Sequence, residues 1–338
     1  MTDPELMLTF LTALPAALIL TVLLCRLIIP MLRRHHVGQH IFADYVSEHK
    51  GKEGTPTMGG ICFIMPMLVL CVPYVISRTR NGVGDLIPFA LCVCLGVANA
   101  MIGFVDDYTK LSHKENQGLA SWQKFLLQVL VAAAYVWAMA AFGGMDTVLE
   151  IPLLGICWDM GIFYYMAAVI LIVGVVNSTN LTDGIDGLAS SVALVASMFL
   201  SLIGFMLSES GAVMIGALMI GGMIGFLAFN YHPAKVFMGD TGSLFLGGML
   251  IGAGFMMDRP ILLLGLCGVF ILDMLSSLIQ IFSIRLFHRK VFGIAPVHHQ
   301  FQKMHWSEEK IVYVFSFVGL IFGAIATAVV ICSLHMQG

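Results

Sequence analysis

Charge is what this sequence has least of. Only 11 % of its 338 residues are Asp, Glu, Lys or Arg, where an ordinary soluble domain carries about 25 %. That excludes a soluble globular domain, and it excludes a disordered chain, which needs charge and low hydrophobicity. A net charge of −3 offers no basic surface to a nucleic acid. Cysteine is present but unpatterned: Cys25, Cys62, Cys71, Cys92, Cys94, Cys157, Cys267 and Cys332 form no C-x-x-C pair. They read as small hydrophobes, not as a disulfide or zinc framework. Internal repeats and low-complexity segments are lacking too. Met1 to Leu14 contains no Lys or Arg, so the basic start of a cleaved signal peptide is missing. The first apolar run is expected to stay as a helix.

What is abundant is apolar sequence, 59 % of the chain. A transmembrane helix takes about 20 such residues, so ten would use ~200. Apolar runs between polar breaks fall at 6–29, 58–77, 86–105, 123–142, 161–177, 187–207, 211–229, 242–257, 261–284 and 311–334. The expectation is an all-α polytopic membrane protein of about ten spans, one integral-membrane domain over 1–338, with both termini on one side. Of the 17 Lys and Arg, 13 fall in alternate loops: Arg33, Arg34, Lys50, Lys52, Lys110, Lys114, Lys124, Lys235, Arg285, Arg289, Lys290, Lys303 and Lys310. The opposite loops hold Arg78, Arg80 and Arg259, and Arg26 lies inside the first run. The positive-inside rule then puts the rich side in the cytoplasm and both termini outside.

The dense polar motifs all fall on that rich side. GTPTMGG, Gly54 to Gly60 with Thr57 inside it, opens the second run, and GFVDDY, Gly103 to Tyr108, closes the third. NSTNLTDGIDG, Asn177 to Gly187, joins the fifth and sixth, and Asn230 ends the seventh. FMGDTGSL, Phe237 to Leu244, leads into the eighth, and PVHHQ, Pro296 to Gln300, lies in the last such loop. Polar groups at a membrane boundary are costly unless paired or functional.

Each motif has a bland reading beside a chemical one. Asp106-Asp107 is a solvated loop pair, a metal site, or a base for an acidic nucleophile. Asp183 and Asp186 share a face if helical, with Asn180 a turn earlier; otherwise they cap a helix start. Asp240 among Gly, Thr and Ser at a helix start is either an N-cap or the acid of a Mg²⁺–diphosphate site, with backbone N–H groups seating phosphate. His298-His299 suits hydrogen bonds to a phosphate or sugar better than one shared zinc. Lys52, Lys110 and Lys124 are positive-inside residues or point charges for phosphate. Asp273, deep in the ninth run, reads as a structural contact with Ser276 or a neighbouring helix, apart from the polar cluster.

Together these blocks resemble the polyprenyl-phosphate N-acetylhexosamine-1-phosphate transferase superfamily, and within it the phospho-N-acetylmuramoyl-pentapeptide transferase family. GTPTMGG, GFVDDYTK, NLTDGIDGLA, FMGDTGSL and PVHH stand in family order. The resemblance implies transfer of phospho-MurNAc-pentapeptide from UDP-MurNAc-pentapeptide to undecaprenyl phosphate, giving lipid I and UMP with Mg²⁺, in a bacterial plasma membrane, and a homodimer. It places Asp106 and Asp107 near the lipid phosphate, makes Asp240 the magnesium-linked acid, and makes His298 and His299 the loop histidines. Asn180, Asp183, Asp186, Asn230 and Phe237 would line the donor site, with Lys52, Thr57, Lys110, Lys124 and Ser243 nearby. Family members read PVHHH followed by an acidic residue, whereas this chain has Gln300 and Gln302. A third histidine therefore has no indispensable proton-transfer role here. A sibling using another UDP-HexNAc remains the nearest alternative. A secondary transporter would show midplane sites and repeated halves, which the sequence lacks.

Overall fold

The computed structural model describes residues 3–34, 54–80, 86–113, 118–151 and 155–337. Long helices dominate: α1 (Asp3–Arg34), α2 (Ile61–Arg80), α3 (Ile87–His113), α4 (Ser121–Phe142), α5 (Ile162–Thr182), α6 (Leu188–Met206), α7 (Ser210–Asn230), α8 (Gly239–Met256), α10 (Gly268–Phe287) and α12 (Glu308–Gln337). Short helices α9 (Leu262–Leu266) and α11 (Val297–Lys303) precede and follow α10. A small antiparallel hairpin, β1 (Val148–Ile151) and β2 (Ile156–Asp159), links α4 to α5, pairing Val148 with Asp159.

Among the described residues, nine helices are long and apolar enough to cross a bilayer. The remaining expected run, 242–257, becomes α8, which is less apolar because its first turn carries Asp240 and its sequence is rich in glycine. It tolerates this because it is buried from Thr241 through Phe255. The core sits on α7, apolar all round as buried helices are, and on α8, apolar beyond its first turn. The outer helices α1, α4 and α12 carry outward side chains such as Leu27, Trp137 and Phe317. So large an exposed apolar surface is what lipid covers.

Small residues set the closest helix approaches, as they do in membrane bundles. A Cβ on Gly248 of α8 would stand 2.9 Å from the Cα of Gly96 on α3, and one on Gly103 would collide with the Asp240 carbonyl. The pair α3–α8 therefore packs backbone to backbone up to the polar end of both helices.

Three expected boundaries differ. The run 161–177 extends to Thr182 as α5, so it has ample length. The run 261–284 is interrupted at Cys267, between α9 and α10. There Gly265 and Gly268 lie against Ala326 and Phe322 of α12, an approach that leaves no room for side chains. And α3 does not end at Tyr108 but continues to His113, which puts Asp106, Asp107 and Lys110 in its last turns.

Candidate active site

Two adjacent carboxylates on a helix point about 100° apart, and here they go to different tasks. Asp107 faces the start of α8. Its carboxylate accepts from the backbone N–H of Asp240 at 3.2 Å and of Thr241 at 2.9 Å, and from the Thr241 hydroxyl at 2.7 Å. The first N–H groups of a helix have no partner within it, and no side chain of α8 itself caps them. Asp107 supplies the missing cap from α3. The seat that the sequence offered to a phosphate is thus taken by a carboxylate, and the N-cap reading of Asp240 is not realised. Thr57 is buried beside the same turn, its hydroxyl without a partner.

Asp240 turns instead toward lysines. Its Oδ2 accepts from Lys124 Nζ at 2.7 Å and from Lys110 Nζ at 3.1 Å, and its Oδ1 accepts from Asn180 Nδ2 at 2.8 Å. Lys110 also meets Asp106 at 2.6 Å, one helical turn away. Asp106 accepts the Leu119 N–H at 2.8 Å through its other oxygen. Asn180 donates to Ser243 Oγ and accepts from Lys124. One carboxylate oxygen from each of Asp106, Asp107 and Asp240 lies within 4.8 Å of the other two. Three acids against two ammonium groups leave one formal negative charge, with hard oxygen donors of the kind Mg²⁺ prefers.

Beyond this centre, Asp183 and Asp186 do not share a helical face. Both lie in the turn between α5 and α6, where Gly187 takes a left-handed φ of +73°. Neither caps α6. The Asp183 carboxyl is pushed up, first by burial and then by the charges of Asp240, Asp107 and Asp186. Asp186 is buried and accepts from the Ala234 N–H at 3.0 Å, with His232 Nδ1 at 3.1 Å. Glu308 Oε2 stands 3.4 Å from that same nitrogen. Asn230 is spent on the fold: it accepts from Ser190 Oγ and donates to the Val236 carbonyl, both buried bonds. Phe237 is half-buried, and its backbone pairs with Pro56 and Gly59, joining the GTPTMGG loop to α8. Lys52 lies outside the described residues.

The two histidines diverge. His298 is fully buried, its Nδ1 2.7 Å from Asp273 Oδ2. His299 is half-buried, its Nδ1 2.7 Å from Gln302 Oε1. The expected separation of Asp273 from the polar cluster is therefore corrected. It does contact a neighbouring helix, through Thr182, but it also holds a site histidine. Periodicity alone could not find this pair, because α11 folds back onto α10 only in three dimensions; the acid inside an apolar run was the available signal. Gln300 accepts the Ile294 N–H at 2.9 Å and shapes the loop before α11.

An all-helical membrane protein with an acid–lysine cluster at the polar ends of its helices defines a class, and the comparisons narrow it. Residues 89–258 match Glycosyl transferase family 4, and residues 52–64 match the phospho-N-acetylmuramoyl-pentapeptide-transferase signature 1. The chain is 40 % identical over 301 residues to the phospho-N-acetylmuramoyl-pentapeptide-transferase of Clostridium acetobutylicum, covering 89 % of this chain and 92 % of the relative. It is 37 % identical over 307 residues to that of Oceanobacillus iheyensis (90 % and 93 %), and 35 % over 307 residues to that of Bacillus subtilis (91 % and 93 %). The chain belongs to the phospho-N-acetylmuramoyl-pentapeptide-transferase family.

Proposed function

We propose that this protein moves phospho-MurNAc-pentapeptide from UDP-MurNAc-pentapeptide onto undecaprenyl phosphate, releasing UMP and leaving lipid I, in bacterial peptidoglycan synthesis. The observation that carries the reading is the Asp106–Lys110–Asp240–Lys124 cluster where α3, α4 and α8 meet. It offers both signs of charge to a reaction between two phosphates. An oxygen of the lipid phosphate attacks the phosphorus bearing the sugar. The bond from that phosphorus to the oxygen of UMP breaks, and UMP leaves with the electron pair.

Catalysis of this kind is mostly positioning and charge neutralisation. Lys110 and Lys124 face the donor's diphosphate as point charges. Asp106 keeps the acceptor deprotonated; the last proton of a phosphate monoester leaves near pH 6, so about 10²–10⁴-fold is the contribution to expect. The oxygen donors of Asp240, with Asp106 beside it, suit Mg²⁺, which when bound would neutralise charge on the diphosphate. Asn180 and Ser243 hold Asp240 in place, while Asp183 and Asp186 flank the donor. His298 and His299 face phosphate or sugar, and Thr57, Asn230 and Phe237 shape the walls. Lys52 belongs to the same loop region in sequence.

Ten spans with both termini outside put this face in the cytoplasm, where the soluble UDP-sugar is, and the 13-to-3 bias of Lys and Arg supports that orientation. The test is a matrix of donors and acceptors in membranes or detergent, with and without Mg²⁺, reading UMP. Release only with UDP-MurNAc-pentapeptide, undecaprenyl phosphate and the cation is the expected result. Preference for another UDP-HexNAc would move the chain to a sibling activity.

A further inference from the structure

Asp273 is an acid buried without exposure inside α10, and the reaction just described does not use it. The bonds of its carboxylate converge on the site. Its Oδ2 takes the Thr182 hydroxyl at 3.0 Å, one residue before Asp183, and lies 2.7 Å from His298 Nδ1. Its Oδ1 lies 3.4 Å from the His298 backbone nitrogen. A carboxylate accepts only, so Nδ1 must carry the hydrogen. The other ring nitrogen, Nε2, is buried with no hydrogen-bond partner. It lies against Gly184, where a Cβ would come within 2.6 Å of it. A buried imidazole nitrogen left open at the edge of a binding turn costs free energy unless something fills its valence.

We propose that Asp273 is the positioning residue of His298: it fixes the tautomer with hydrogen on Nδ1 and aims Nε2, as acceptor, at a donor group of the bound substrate beside the Asp183–Gly184 turn. The substrate groups of suitable chemistry are the hydroxyl and amide N–H groups of the UDP-sugar, so the proposal rests on the function given above. His299 is built differently. Its Nδ1 partner is the neutral amide of Gln302, which orients the ring without a charge.

The test is a double-mutant cycle on UMP release by the full-length protein in detergent. Asp273→Asn should lower kcat/KM for the UDP-sugar about 10- to 100-fold, as for the loss of one buried hydrogen bond to substrate. Asp273→Glu should recover at least a tenth of the lost rate. In a His298→Ala background, Asp273→Asn should cost nothing further, because the two act as a unit. An equal loss from Asp273→Asn with and without His298, or no rescue by Glu, overturns the proposal. If the wild type releases no UMP at all, the functional reading fails separately. The pair is then decided by ¹⁵N NMR of histidine-labelled protein: a locked Nδ1–H tautomer lost in Asp273→Asn supports it, and unchanged shifts overturn it.

Discussion

Replacing Asp107 by Asn should damage the fold, whereas the same change at Asp106 should damage the chemistry. The Asp107 carboxylate is 1 % exposed and receives three hydrogen bonds from the first turn of α8. Hydrogen bonds to a charged group contribute roughly 1.5–3 kcal/mol each, and a buried donor left facing another donor costs about 1–3 kcal/mol. An amide keeps one accepting oxygen and turns an NH₂ toward the other donors, so it loses one or two of the three. It also removes the negative charge from the positive end of a helix. The loss is about 2–4 kcal/mol, or roughly 3–6 °C in Tm for a chain of this size. Asp106→Asn keeps the bond from Leu119, and Lys110 retains Asp240. Asp106 is buried, but its partner Lys110 is 27 % exposed and keeps a carboxylate at Asp240, so the stability of this variant should fall less than that of Asp107→Asn, while UMP release falls about 10²–10⁴-fold. Thermal melting in one detergent, beside kcat from UMP release, separates the two. A wild-type Tm in Asp107→Asn with kcat lost would refute the capping role and make Asp107 the reacting acid.

Other outcomes follow from the same geometry. Asp240→Asn strips both lysines of their shared partner and should bring UMP release close to background with the elution profile of folded protein; activity and Mg²⁺ dependence near wild type would remove Asp240 as the metal ligand. Single cysteines in a cysteine-free variant should be shielded from an impermeant reagent near Gln300 and labelled near Thr147 in intact spheroplasts, and the reverse pattern would invert the topology. Asp258, just past α8, has its carboxyl pushed up to about 6 by partial burial and then by the charges of Asp146 and Glu150. An acid raised on folding stabilises the fold while protonated, so this contribution is present below about pH 4 and lost as pH rises through about 6. Asp258→Asn, which also suits the φ of +53° there, should lose less Tm than wild type between pH 4 and 7.

The helices were legible because a bilayer demands long apolar runs, and the runs around Phe63, Leu200 and Val330 have no other use. The meeting of Asp106, Asp240 and Asn180 was legible only as motifs on one side of the membrane. That Lys110 and Lys124 both reach Asp240 depends on how far α3 continues and how α4 leans, which no local pattern records. Asp107 was read as chemistry because its neighbour is; the cap it makes lies on a helix 133 residues later. Asn230 was read as donor-facing from its place at a helix end, yet its amide closes the 231–236 loop. The hairpin after α4 was invisible, since four-residue strands carry too few alternations to stand out.

The glycine contact between α3 and α8 has a mechanical consequence. Bilayers differ in thickness and lateral tension, and lipid-facing helices answer by tilting. Where backbones touch at Gly96, Gly103 and Gly248, neither helix can tilt without carrying the other. Asp106 and Asp240 ride on opposite members of that pair, so their separation is insulated from the membrane's elastic state. Rate changes in thicker or stiffer lipid would then originate in the delivery of the lipid acceptor, while the acid–lysine cluster keeps its dimensions.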